Sequence, residues 1–238
     1  MPKFLHGLID LVFPDILRLT ESREEEYKLQ AEHFIRSLSV ISVDSELVSG
    51  IFSILRKNIG QGAWKQRAMC DEVMFFVFFN NSHVFTQEQV DSYVKVLVNG
   101  LSDGQIELRT HFSYTLSGVL QCCPEYIPKL KAKFEQDLLN SDLSDKSSSA
   151  VEKRHSCILG IFSIVLTYPY DLPDWMPAVL HIAARFVGDR NPVQKTVRKL
   201  FSEFKKSHSD TWHQDRLKFT EEQLDAVTEL LVSPSYYV

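Results

Sequence analysis

A helical repeat limits what this chain can fold into. Four stretches align without gaps: Trp64-Lys65-Gln66-Arg67-Ala68-Met69-Cys70, Ile106-Glu107-Leu108-Arg109-Thr110-His111-Phe112, Val151-Glu152-Lys153-Arg154-His155-Ser156-Cys157 and Pro192-Val193-Gln194-Lys195-Thr196-Val197-Arg198. Each puts a basic residue early and an apolar run after it, at positions 67, 109, 154 and 195. The separations, 42, 45 and 41 residues, match the roughly 40–47 residues per unit of HEAT and armadillo arrays. One such helix pair cannot bury its apolar face alone, so neighbours stack. The expectation is an all-α chain: a HEAT/armadillo-like α-solenoid of stacked antiparallel helix pairs.

The apolar spacing is helical almost everywhere. It predicts helices over Lys3–Val12, Ser22–Ser37, Ser45–Asn58, Trp64–Phe79, Gln87–Leu101, Ile106–Cys122, Ile127–Leu139, Ala150–Leu166, Trp175–Val187, Pro192–Lys206 and Glu221–Val232. Only 9 Gly and 9 Pro interrupt 238 residues, so turns are few and elements long. Thr86…Gln89 and Thr220…Gln223 have the form of capping boxes. Asn191-Pro192 offers a capping amide before a proline at the first helical position. Asp103 and Asp189 suit the positive ends of the helices they precede. Residues 140–149, polar and serine-rich, read as a flexible insertion in an array covering 1–232. Residues 233–238 read as an extended tail.

Few function classes survive the composition. A formal charge of -5 and a pI near 5.9 argue against phosphate-driven nucleic-acid binding. The most apolar stretch, 158–166, is too short to span a membrane, and the start of the chain has no secretory pattern. Cys70, Cys122, Cys123 and Cys157 show no paired spacing, which suits free thiols in a reducing compartment. There is no metal-ligand spacing, Gly-rich phosphate loop or nucleophile elbow. No enzyme and no cofactor are therefore expected. A nucleophilic Cys122 or Cys123 would need a base that the sequence does not pair with it.

Three local features stand out from the repeat. Phe75-Phe76-Val77-Phe78-Phe79 reads as a helix buried on several sides. Lys195, Arg198, Lys199, Lys205 and Lys206, with His208, form a basic patch. Its plain reading is a solvated helix face; the sharper one is an anion-facing surface for an acidic protein or a polyphosphate. Ser233-Pro234-Ser235-Tyr236-Tyr237-Val238 follows the last helix. Proline stops that helix, leaving two tyrosines, a small apolar residue and a carboxylate as a docking plug.

Two stretches, Tyr168-Pro169-Tyr170-Asp171-Leu172-Pro173-Asp174-Trp175-Met176-Pro177 and Phe219 through Val238, resemble the C-terminal part of the large ATP-independent proteasome activators, the proteasome activator complex subunit 4 family. Leu116-Ser117-Gly118-Val119-Leu120-Gln121-Cys122, between them and the first repeat, adds to the likeness. The similarity runs from about residue 45 to the end. Members of that family are several times longer, so the resemblance implies a C-terminal portion, an isoform or a fragment.

The resemblance implies a non-catalytic dome of HEAT-like repeats on the core proteasome. A hydrophobic–Tyr–any-residue terminus would enter a pocket of the α-ring and favour gate opening for ATP-independent, ubiquitin-independent degradation. Carried over, Tyr236 is the hydrophobic position, Tyr237 the penultimate tyrosine and Val238 the free carboxylate. The resemblance also implies residence in nucleus and cytoplasm, roles in DNA repair and histone degradation, and binding of acetylated histones and inositol phosphates. Cys123-Pro124 stands where an Asn-Phe pair is expected for an acetyl-lysine reader, and the inositol-phosphate residues have no placement here. The other reading is a generic HEAT-repeat adaptor whose Tyr236-x-Val238 end binds a PDZ-like domain.

Overall fold

The computed structural model describes residues 2–40, 45–60 and 62–231, with side chains from residue 7. Among the described residues there are twelve α-helices, four short 3-10 turns and no strand. The fold is all-α, built of packed helix pairs, the solenoid class that the repeat predicts. The packing divides the chain into two compact units: Met1–Gly100 with Gln105–Thr115, and Leu101–Gly104 with Leu116–Val238.

The first unit holds α1 (Pro2–Leu19), α2 (Glu25–Ser37), α3 (Ser45–Ile59), α4 (Trp64–Asn80), α5 (Gln87–Gly100) and the opening turns of α6 (Ile106–Cys122). α1 runs past Val12 and through Pro14, where sequence reasoning ends it. A mid-helix proline removes one hydrogen bond. Phe13 and Leu17, on either side of it, are buried, and α1 packs on α3, so tertiary contact holds the second half in helical form. α3 and α4 are joined by a short connection and pack together. Leu47, Val48, Ile51, Phe52, Ile54, Leu55 and Ile59 line the buried side of α3.

The phenylalanine run on α4 is not buried on several sides. Val77 and Phe78 are inside, but Phe76 is 44% and Phe79 57% exposed. Consecutive residues on a helix point about 100° apart, so five in a row cannot share one buried face. Asp71, also on α4, is fully buried. It accepts hydrogen bonds from Thr115 Oγ1 at 2.7 Å and Tyr93 Oη at 3.4 Å, and His111 Nε2 lies 3.1 Å away. This buried carboxylate braces α4, α5 and α6.

The second unit holds the end of α6 and then α7 (Ile127–Leu139), α8 (Ser148–Leu166), α9 (Met176–Ala184), α10 (Val193–Ser207), α11 (Trp212–Asp215) and α12 (Glu221–Leu231). α8 is its centre, buried from Arg154 through Val165 and packed on α7 and α10. Gly160 makes the α7 contact possible: a Cβ there would stand 2.3 Å from the Phe134 ring. The sequence gives no sign of α11.

The basic residues of the repeat acquire a physical meaning. Arg67 Nε donates to the Ile59 carbonyl at 2.7 Å, satisfying the end of α3. Arg154 donates to the Asp142 and Asp145 carbonyls at 3.0 and 2.9 Å. Each of these two arginines thus reaches back to the segment before its own helix. At the fourth position Gln194 does this instead, donating to the Val187 carbonyl at 3.0 Å, and Lys195 is left on the surface.

Asp189 is not a helix cap. It is buried and faces Arg154, with Nε–Oδ2 at 2.6 Å and Nη2–Oδ1 at 3.1 Å. Lys146 Nζ lies 3.0 Å from the same carboxylate. Arg190 donates to the Lys146 carbonyl at 3.1 Å. Residues 140–149 are therefore tied to the array through the carbonyls of Asp142, Asp145 and Lys146, although several of their side chains are exposed. Asn191 is not a cap either: α10 starts at Val193, with Pro192 before it.

Candidate functional site at the C-terminal platform

Tyr236, Tyr237 and Val238 lie outside the described residues. What the structure describes is the platform that carries them. α12 begins with the predicted capping box: the Thr220 amide donates to Gln223 Oε1 at 3.0 Å, and the Gln223 amide to Thr220 Oγ1 at 3.3 Å. Val227 is buried, and α12 packs on α9 and α10.

α10 divides cleanly into two faces. Val193, Val197, Leu200, Phe201 and Phe204 are buried, each worth about 1.5–3 kcal/mol of apolar burial. Lys195, Arg198, Lys199, Lys205 and Lys206 are all exposed. Their spacing of three, four, ten and eleven residues from Lys195 puts them on one side of the helix, in a stripe about 16 Å long. Lys206 lies 3.0 Å from Glu203.

His208 does not join this stripe. It is buried, its ring stacked on Phe204 at 4.4 Å between centroids. Its Nδ1 is 3.0 Å from Asp215 Oδ2, and its Nε2 donates to the Tyr168 carbonyl at 3.2 Å. Thr211 donates to the same Asp215 oxygen. Lys218 donates to the Leu172 carbonyl. Trp175 meets Tyr168 edge-on at 5.6 Å, with Lys131 Nζ 5.8 Å above its ring. The structure therefore fastens the stretch 168–177 to the segment that launches α12. In the sequence these stand as separate motifs. The signal for their union is a buried histidine 40 residues from its carbonyl partner, which no local pattern reveals.

A pocket of about 300 Å³ opens at this junction. Phe204, Lys205, His208, Ser209, Trp212, Thr228 and Leu231 line it. Trp212 also packs edge-on against Phe204 at 6.4 Å and Phe219 at 5.7 Å, so Phe204, His208 and Trp212 give the pocket an aromatic side beside Lys205, Ser209 and Thr228.

The cysteines are not primed as nucleophiles. Burial raises the Cys122 thiol; burial, the Glu125 charge and neighbouring Cys122 push Cys123 up to about 11. A reactive cysteine needs the opposite shift. Burial likewise pushes Cys70 and Cys157 up to about 12. No group of three or more potential metal-ligating side chains occurs among the described residues, and none of the described helices is long and apolar enough to cross a membrane.

The model of the family described as "Proteasome activator complex subunit 4-like, C-terminal" matches residues 151–238. Proteasome activator complex subunit 4B of Danio rerio is 30% identical over 97% of this chain. Proteasome activator complex subunit 4 of Homo sapiens is 30% identical over 79% of it, and proteasome activator BLM10 of Saccharomyces cerevisiae 27% over 64%. These alignments cover 13%, 11% and 8% of the respective relatives, so the chain spans about an eighth of the length of the first of them and less of the others. The matched end contains the braced platform, and identity extends back through the repeats: the chain belongs to the proteasome activator complex subunit 4 family and corresponds to its C-terminal portion.

Proposed function

We propose that this chain is the docking portion of a non-catalytic proteasome activator. In this reading Tyr236, Tyr237 and Val238 enter a pocket of the core proteasome's α-ring. The observation that carries it is the launch of the tail: α12 is capped at its start, packed on α9 and α10, and backed by the His208–Asp215–Tyr168 lock. A braced root limits the directions in which a short tail can leave, and so reduces the ordering cost of docking. The terminal carboxylate pairs with a pocket cation in a charge-assisted bond, and the Tyr237 ring supplies apolar area. Gate opening then follows if the tail binds the open ring better than the closed one.

Removing Val238 is expected to abolish co-sedimentation with core particles and stimulation of their peptide hydrolysis. Tyr237→Phe is expected to weaken binding by about 1 kcal/mol, the net worth of one hydroxyl hydrogen bond. Unchanged binding after deletion of Val238 would refute the tail mechanism.

A further inference from the structure

The surface around the tail root is organised in three parts. The first is the cationic stripe of Lys195, Arg198, Lys199, Lys205 and Lys206. The second is the aromatic pocket, which shares Lys205 with that stripe and whose far wall is Thr228 and Leu231 of α12. The third is the outward side of α12, where Glu221, Glu222, Asp225 and Glu229 are exposed. Asp225 lies one turn before Thr228, and Glu229 directly follows it. Along this surface a cationic ridge, an apolar hole and an acidic ridge succeed one another.

We propose that the α10 ridge and its pocket form a second docking surface, for a protein segment carrying several carboxylates and one large apolar side chain. It rests on the reading above in one respect: the segment belongs to the partner that takes the tail. The observations favour a protein over other anions. The ridge lies along one exposed helix face, and the concavity at its end sets the apolar groups of Phe204, Trp212 and Leu231 beside Lys205, Ser209 and Thr228, a mixture that suits an apolar side chain next to a carboxylate better than a fully hydrated phosphate. The pocket volume suits one bulky side chain. The acidic side of α12 and the chain's net charge of -5 repel an extended phosphate backbone. Opposite charges on adjoining helices also permit one orientation of a complementary surface and penalise the reverse. Tail and ridge belong to one stretch of chain, so they would engage the partner as linked contacts, raising overall affinity beyond either alone.

The test measures association and dissociation of the chain on core proteasomes at several salt concentrations. The ridge variant carries Lys195→Glu, Arg198→Glu and Lys205→Glu. Its control reverses three exposed lysines elsewhere, Lys57, Lys95 and Lys129. The ridge variant is expected to associate about tenfold more slowly than its control at low salt, with the difference vanishing near 0.5 M, because exposed charges act mainly on encounter and are screened. Thr228→Trp, which fills the pocket from an exposed position, is expected to speed dissociation by about fivefold or more while leaving the salt dependence intact. If deleting Val238 abolishes binding while the ridge and pocket variants behave like their parents, the second surface is overturned and the tail reading stands. If the deletion leaves binding intact but the ridge variant loses it, the tail reading fails and the second surface stands. Ridge-dependent binding of a short DNA duplex, with association to core particles unchanged, overturns the proposal in favour of a nucleic-acid surface.

Discussion

Removing Asp189 is expected to be among the most damaging single changes in the second unit. The carboxylate is buried against Arg154, itself nearly inaccessible, at 2.6 and 3.1 Å. Asp189→Ala leaves a guanidinium inside the protein without its counter-charge, and breaking such a pair costs about 3–5 kcal/mol. Arg154 keeps its bonds to the Asp142 and Asp145 carbonyls, and half-exposed Lys146 can turn to water. These place the cost at the lower end, about 3 kcal/mol. With a urea dependence near 2 kcal/mol/M, the unfolding midpoint should fall by about 1.5 M, followed by far-UV circular dichroism. The pH dependence adds another check. Burial works to raise the Asp189 carboxyl, but Arg154, the Arg190 amide and Lys146 outweigh it and hold its pKa below the ordinary value. A depressed carboxyl pKa contributes stability that is present above the unfolded pKa of about 3.9 and lost as pH falls through the folded one. The gap between parent and Asp189→Asn should therefore be constant from about pH 5 upward and close below about pH 4. Replacing both partners, Arg154→Met with Asp189→Leu, should recover only part of the loss, because the Asp142 and Asp145 carbonyls then lose their donor. A midpoint shift under about 0.3 M for Asp189→Ala, or a gap to Asp189→Asn that persists undiminished at about pH 2, would refute the reasoning.

Two further outcomes follow from the packing. Gly160→Ala puts a methyl 2.3 Å from the buried Phe134 ring, so a loss of about 1–3 kcal/mol is expected from overpacking, and a denaturation midpoint equal to the parent's would contradict it. His111 should make the first unit more stable in mild acid: burial opposes its charge, but Asp71, Glu72 and the Ala68 carbonyl prevail and raise its pKa. That stability is fully present below the unfolded value of about 6.5 and lost as pH rises through the folded pKa; thermal scans across this range should show the decline in the parent and not in His111→Gln.

Much of the architecture is legible in the sequence because helices write themselves in local spacing. α6 and α7 have the predicted ends, and both threonine capping boxes form as their sequence implies. The departures are mostly non-local. α1 survives Pro14, itself exposed, because the helix packs on α3 with Phe13 and Leu17 buried. Phe76 and Phe79 stay outside because apolar content alone does not say how many neighbours a helix has. Asp189 and His208 look like a cap and a surface cation until the chain brings Arg154 and Tyr168 to them from 35 and 40 residues away. At the candidate site, the cationic stripe is legible from helical spacing, whereas the pocket is not, because its walls come from α10, α11 and α12.

The arginine hold on residues 140–149 has a practical consequence. A serine-rich connection between helices is ordinarily where proteases nick a domain and where tags are inserted at little cost. Here Arg154 grips the carbonyls of Asp142 and Asp145, and Arg190 that of Lys146. A protease must pull this segment out of that grip before it can thread a cleavage site. The rate of nicking between Asp142 and Lys146 is thus a gauge of how often the start of α8 opens, and an affinity tag placed there would loosen the helix it was meant to report on.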